Sequence, residues 1–189
     1  MTLVSDELFV SIDSSTDGMC GLTTTGVVYC WGLSGSLHST SSSTWSPVQV
    51  DLGSNVHAIS LTTSTSHACA LLNTSEAYCW GTGTSGQLGN GFQVSSTNPQ
   101  KVEAANWVDF ETISAGDKHS CAMNSLGGVM CWGNNSHGQL GDGTTTSRTT
   151  PVNVTNIPSW MNVVEVHAVN EGTCVVDETG GVWCWGNNA

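Results

Sequence analysis

Apolar and polar positions along this chain alternate in short bursts, and no segment holds a 3.6-residue period over a helical length. In "NWVDFETIS" (Asn106–Ser114), Trp107 leads, Val108 stands against Asp109, Phe110 against Glu111, and Ile113 follows. That is a period of two, the mark of a half-buried strand. The same register recurs over Val56–Leu61 and Val163–Val166. Two short apolar runs, "SCAMN" (Ser120–Asn124) and "GVMCW" (Gly128–Trp132), are separated by "SLG", which predicts a hairpin. "TPVNV" (Thr150–Val154) predicts a further strand with Pro151 at its start, where a missing N–H is tolerated. "SPVQV" (Ser46–Val50) and "NPQKV" (Asn98–Val102) are its equivalents.

These strands come in copies. Cys-Trp-Gly occurs at Cys30, Cys79, Cys131 and Cys184, at steps of 49, 52 and 53 residues. Each copy has a partner ten residues upstream, at Cys20, Cys69, Cys121 and Cys174, and this uses all 8 cysteines. Four short strands recurring about every 50 residues predict an all-β fold of four-stranded antiparallel β-propeller blades, about four of them. The chain reads as a single repeat domain, 1–189. Its approximate repeats are 1–50, 51–102, 103–154 and 155–189, the last one incomplete.

The hairpin also predicts the fate of the sulfur. Centring it on residue 126 sets Cys121 opposite Cys131, Ala122 opposite Met130 and Met123 opposite Val129. Opposed residues at a non-hydrogen-bonded site lie roughly 4.5 Å apart at Cα, close enough for a disulfide. One structural disulfide per repeat is therefore expected: Cys20–Cys30, Cys69–Cys79, Cys121–Cys131 and Cys174–Cys184. Zinc is disfavoured. Cysteines two to four residues apart are lacking, and His67 and His119, two residues before a cysteine, are replaced by Gly18 and Gly172 in the other repeats. Redox catalysis at a Cys-x-x-Cys motif is excluded, because none is present.

"WGNNSHGQLGDGT" (Trp132–Thr144), preceded by "AGDKHSCAM" (Ala115–Met123), resembles the repeat of the regulator of chromosome condensation family. Trp132, Gly133, Asn135, Gly138, Gln139, Leu140 and Gly141 match its pattern. The second repeat keeps Trp80, Gly81, Gly86, Gln87, Leu88 and Gly89. The first copy, "WGLSGSLHST" (Trp31–Thr40), is shortened and degenerate, and the fourth stops at "CWGNNA". The resemblance implies a propeller, usually of seven blades, of which this chain would be a part. The family's founder binds chromatin and exchanges nucleotide on a small GTPase; a plant ultraviolet-B photoreceptor and a secreted β-lactamase inhibitor are other members. Trp31, Trp80, Trp132 and Trp185 recur once per blade. Together with Gly138, Gln139, Leu140 and Gly141, they are expected to pack blade on blade. The cysteine pairs depart from the intracellular members and point to an exported branch.

Charge narrows the partners. Lys and Arg number 3 against 15 Asp and Glu, for a net charge of −12. Such a chain does not neutralise phosphates, so nucleic acid is not an expected partner, and neither is an anionic membrane surface. No stretch approaches the roughly 18 apolar residues of a membrane span. No signal-peptide pattern opens the chain, although the cysteines imply export. The two facts are reconciled if the chain is a segment of a longer secreted protein. A half-propeller that dimerises, or an array that self-associates through exposed terminal blades, is the alternative.

No catalytic constellation stands out. The glycines at 138, 141 and 143 precede no helix and no Lys-Ser/Thr pair, so they are turn glycines rather than a phosphate loop. Asp142 in "GDGTTT" offers calcium a carboxylate in a turn, but its counterpart in the second repeat is Asn90. No cofactor, metal or catalytic residue is expected. The expected function is a non-catalytic, extracellular or cell-surface scaffold that binds a protein or a surface glycan through its loops. The alternative is a secreted inhibitor that plugs an enzyme's cleft. A hydrolase or lyase on the propeller face, or a guanine-nucleotide exchange factor, comes further behind.

Overall fold

The computed structural model describes residues 7–16, 18–32, 37, 44–104 and 109–187. These residues form strands and turns only. The strands are β1 (Phe9–Ser14), β2 (Gly18–Thr23), β3 (Val28–Gly32), β4 (Thr44–Gln49), β5 (Ala58–Thr63), β6 (His67–Leu72), β7 (Ala77–Gly81), β8 (Ser96–Lys101), β9 (Phe110–Ala115), β10 (His119–Asn124), β11 (Val129–Gly133), β12 (Arg148–Asn153), β13 (Val163–Val169), β14 (Gly172–Asp177) and β15 (Val182–Gly186). Three sheets have four strands each, β1–β4, β5–β8 and β9–β12, and the fourth comprises β13–β15. Neighbours within each sheet are sequential and antiparallel. The fold is an all-β propeller, and each sheet is one of its blades.

The central hairpins fold for a local reason. The tight turns place Gly26, Gly127 and Gly180 at φ near 80°, 75° and 85°, and Ser75 takes the same place at 61°. The left-handed region favours glycine because a Cβ crowds the backbone there. In the third blade the register pairs Cys121 with Cys131, Ala122 with Met130 and Met123 with Val129. All four cysteine pairs are closed as disulfides, with Cα atoms 4.1 Å apart.

Three strand boundaries depart from the sequence reading. Pro151 is not at a strand start: it is the fourth residue of β12. Pro47 and Pro99 hold the same place in β4 and β8. These are the outermost strands of their sheets, so an absent N–H facing outward removes no ladder bond. β5 begins at Ala58 rather than Val56, because Asn55 is still turning at φ 63°. β9 begins at Phe110; Trp107 and Val108 lie outside the described residues.

The core lies between blades. Cys20, Leu22, Val28 and Cys30 of the first blade pack with Ala68, Ala70, Leu72 and Trp80 of the second. Cys69, Leu71 and Cys79 meet Phe110, Ile113, Ala122 and Trp132 of the third, and Cys121, Met123 and Cys131 meet Val163, Val166, Ala168 and Val175 of the fourth. Each blade thus offers a cystine face to its successor and a tryptophan face to its predecessor. This explains why "HACALL" of β6 is buried along its whole length: it is covered on both sides. The first strands of successive blades lie side by side and are tied by side chains. Thr63 N donates to Asp13 Oδ2 (2.7 Å), Ala115 N to Thr62 Oγ1 (3.2 Å) and Ala168 N to Ser114 Oγ (2.9 Å).

Candidate functional site

The histidines weighed as metal ligands are components of a clasp between blades. His67 Nε2 lies 2.8 Å from Ser120 Oγ, and the Ser120 hydroxyl donates to the Gln87 carbonyl at 3.1 Å. The Trp132 indole N–H donates to the same carbonyl at 2.9 Å. One blade on, His119 Nε2 lies 3.0 Å from Thr173 Oγ1, Thr173 donates to Gln139 O at 2.8 Å, and the Trp185 indole donates there at 3.0 Å. A hydroxyl has one proton. Having given it to the carbonyl, Ser120 and Thr173 must accept from the histidines, which makes both imidazoles neutral Nε2–H tautomers. At His67 the other nitrogen faces the Ser64 hydroxyl at 2.7 Å. His119 Nδ1 is buried without a hydrogen-bond partner in the described structure.

Both rings are completely buried. Burial opposes their protonation and lowers His67 to about 3, with the neighbouring His119 adding to the shift; burial likewise lowers His119 to about 4. The clasp is present whole or not at all. Between the first two blades Gly18 replaces the histidine and Ala68 the hydroxyl, and only the indole bond survives, from Trp80 to Leu37 O at 3.0 Å.

The motif residues anchor the long loop after the third strand of the second and third blades. Leu88 and Leu140 are fully buried beneath it, and Gly89 and Gly141 hold φ of 68° and 65°. A Cβ at either glycine would stand 2.7 Å from the next blade's indole nitrogen. Gln139 is buried and binds within its own loop through His137 N and Asn134 Oδ1, at 2.9 and 2.8 Å, while Gly138 turns at φ 75°. Trp80 and Trp132 are fully buried, Trp31 nearly so, and Trp185 half-buried.

Asp142 closes the third blade's loop. It accepts from Asn135 Nδ2, from the Thr144 amide and hydroxyl, and from two guanidinium nitrogens of Arg148 at 2.9 and 2.8 Å. Burial works against its charge, but the bonds from Thr144, Arg148 and Asn135 prevail and hold its carboxyl down to about 2. The oxygens weighed for calcium are therefore engaged by this chain's own donors. Among the described residues, no group of three or more His, Cys, Asp or Glu side chains is arranged to hold a metal ion.

The loop tips differ between blades. The third blade's tip, Gly143–Ser147, is exposed and polar. The second blade's, Gly91–Ser95, is exposed and apolar, with Phe92 at 66% and Val94 at 65% of full exposure. This tip is tied down. Gly91 N donates to Thr149 O of the next blade at 2.9 Å, Phe92 N to Asn90 Oδ1 at 3.2 Å, and Gly83 N to Ser95 Oγ at 3.2 Å. Two large apolar side chains held in water on a braced loop are a candidate contact site. Sequence reasoning missed it. The signal lay in the repeat alignment, where "NGFQVS" replaces "DGTTTS".

Stacked four-stranded blades with buried tryptophans and turn-forming glycines define a β-propeller of repeat type. Models of the regulator of chromosome condensation (RCC1) repeat match residues 75–123 and 127–176, and a second version matches 56–87 and 110–139. The chain belongs to the RCC1 repeat family. It is 34% identical over 102 residues to the human probable E3 ubiquitin-protein ligase HERC3, covering 53% of this chain and 10% of that protein. It is 36% identical over 101 residues to the ultraviolet-B receptor UVR8 of Arabidopsis thaliana, covering 53% and 23%. Against the crystal structure of human WBSCR16 it superposes with a TM-score of 0.86 at 19% identity, over 97% of this chain and 49% of that one. The chain thus spans less than a quarter of the two relatives in sequence and about half of this structural neighbour.

Proposed function

We propose that this chain is a non-catalytic, extracellular propeller scaffold that binds a partner protein at the second blade's loop, with Phe92 and Val94 as apolar anchors. The carrying observation is that these two side chains are exposed on a loop braced at both ends, whereas the equivalent loop of the third blade is polar. Bracing means that little freedom remains to be lost on binding. The net charge of −12 favours a basic partner surface around the anchors. The extracellular location is supported by the full use of cysteine in disulfides, since such bonds persist in oxidising compartments.

The test is photo-crosslinking from position 92 in extracellular fluid of the native source, followed by affinity measurement with the captured protein. Phe92→Ser with Val94→Ser should weaken binding roughly thirtyfold, the effect of losing about 2 kcal/mol of anchor contact. The thermal unfolding midpoint should not change. Unaltered affinity for the captured protein refutes the site. Free-thiol titration of native-source protein, denatured without reductant, should find close to none; eight thiols refute the location.

A further inference from the structure

We propose that Asn153 carries an N-linked oligosaccharide that shields the outer edge of the third blade. Such transfer belongs to exported proteins, so this site rests on the extracellular location proposed above. Three Asn-x-Ser/Thr acceptor patterns occur in the chain, at Asn73-Thr74-Ser75, Asn134-Asn135-Ser136 and Asn153-Val154-Thr155. A chain rich in Asn, Ser and Thr forms this pattern by chance, so the fold has to separate the three.

At Asn73 and Asn134 the amide is built into a loop. Asn73 lies in the tight turn of the second blade's central hairpin, and its Oδ1 accepts His57 N at 3.1 Å. Asn134 is half-buried; its Oδ1 accepts Gln139 Nε2 at 2.8 Å, the Ser136 hydroxyl at 2.9 Å and Ser136 N at 3.2 Å. A sugar on either amide has to fit around bonds that hold its own loop. Asn153 is different. It is exposed at the end of β12, and its side chain makes no hydrogen bond with the described residues. Thr155, which completes the pattern, is exposed as well.

A second, independent observation comes from the neighbouring blade. Lys101 pairs with Tyr78 and Asn153 with Met130, so Lys101 and Asn153 are counterparts. Lys101 reaches along its sheet to Glu76 Oε1 at 2.6 Å. Two residues before the paired position, the third blade has Gly128 where the second has Glu76. The ion pair that closes this edge in the second blade is thus absent from the third, and Gly128 puts no side chain beside Asn153. β12 is outermost in its sheet, so bulk attached there meets water rather than a neighbouring blade, and it covers a strand edge that would otherwise be open to pairing. Thr149, which accepts Gly91 N from the loop of Phe92, lies four residues back along β12, roughly 13 Å away. Glycan and apolar anchors therefore occupy opposite ends of one strand.

The step balances as follows. Asn153 Nδ2 attacks the anomeric carbon of a lipid-phosphate-linked oligosaccharide. A C–N bond forms, the C–O bond to the phosphate breaks, and the lipid phosphate leaves with that bond's electron pair. Nδ2 gives up one of its two protons, and nothing is oxidised or reduced.

The test is intact-glycopeptide mass spectrometry of protein from the extracellular fluid of the native source, with a thiol count on the same sample. The peptide holding Asn153 should carry the mass of whole sugar residues, at higher occupancy than the peptides holding Asn73 and Asn134. Asn153→Gln and Thr155→Ala should each abolish the addition, and Thr155→Ser should retain it. An unmodified Asn153, or higher occupancy at Asn73 or Asn134, overturns the site; an addition that survives Thr155→Ala overturns enzymatic transfer to the pattern. If Asn153 is bare and the cysteines are all disulfide-bonded, this site falls alone; if free thiols accompany it, the extracellular location falls with it. Phe92→Ser with Val94→Ser should leave the glycan in place, so the binding reading and this one fail separately.

Discussion

Acidification from pH 7 to pH 5 should weaken the fold through two buried histidines. The ordinary histidine value is 6.5; His67 is held at about 3 and His119 at about 4 when folded. The folded values are depressed, so the unfolded chain binds protons more readily. Stability is complete above 6.5 and falls as pH drops below it, down to the folded values. Both lie well below pH 5, so the loss over this window is set by the unfolded value: about 2 kcal/mol for each ring, or about 4 kcal/mol together. The structural cause is burial in the blade seam, which opposes the charged form of both rings. Each Nε2–H is already given to a hydroxyl, and at His119 a second N–H would appear where no hydrogen-bond partner faces it. The assay is urea unfolding at several pH values with disulfides intact, for the natural chain and for His67→Gln with His119→Gln. The natural chain should lose stability steeply between pH 6.5 and pH 5, and the doubly substituted chain should show a flatter profile. A flat profile for the natural chain, or the same slope in both, refutes the neutral-clasp assignment.

Three further outcomes are expected. Ser120→Ala leaves the buried His67 Nε2–H without an acceptor and should cost about 2 kcal/mol in urea unfolding. Gly89→Ala places a Cβ at φ 68°, 2.7 Å from Trp132 Nε1, and should cost about 2 kcal/mol, from left-handed strain plus a stretched indole bond. Tryptophan emission should shift to the red as Trp132 is displaced. Asp142→Ala removes the acceptor for Thr144 N and Arg148, so hydrogen exchange should accelerate at Thr144 while β10 stays protected. In the natural chain that loop order is present above about pH 3.8 and is lost as pH falls toward the folded value of about 2.

The blade was legible because its signals are local. Ten residues between cysteines, a tight turn at their midpoint and period-two alternation set a hairpin register without help from distant parts of the chain. The third-blade pairs at 121–131, 122–130 and 123–129 follow from that centre alone. Pro151 was misplaced because strand length depends on the partner strand, not on the proline: β12 starts three residues earlier, where Arg148 meets Gly133. The clasp was not legible. His67 and Ser120 are 53 residues apart, and each looks unremarkable in its own repeat. The apolar loop tip was visible in principle, but a Phe and a Val in one repeat read as variation until both loops are seen to share the serine tie and the Asx bond while only one carries apolar side chains into water.

The three blade interfaces are not equivalent, and the difference bears on how such a scaffold displays a loop. Every interface keeps an indole bonded to a carbonyl of the preceding blade. Only the second and third add histidine and hydroxyl, and between the first two blades both partners are missing together. Buried hydrogen bonding demands the hydroxyl wherever the histidine is present. A histidine alone would strand its Nε2–H in an apolar seam, at about 1–3 kcal/mol, whereas the hydroxyl keeps its bond to the carbonyl and glycine facing alanine strands nothing. The second blade's loop, with Phe92 and Val94, is fastened to the third blade at both its base and its tip, through Gln87 O and through Gly91 N to Thr149 O. The anchors thus sit on the clasped side of the second blade, and the plainer seam lies behind it. A displayed contact needs its own support to be stiff, and it gains nothing from stiffness elsewhere.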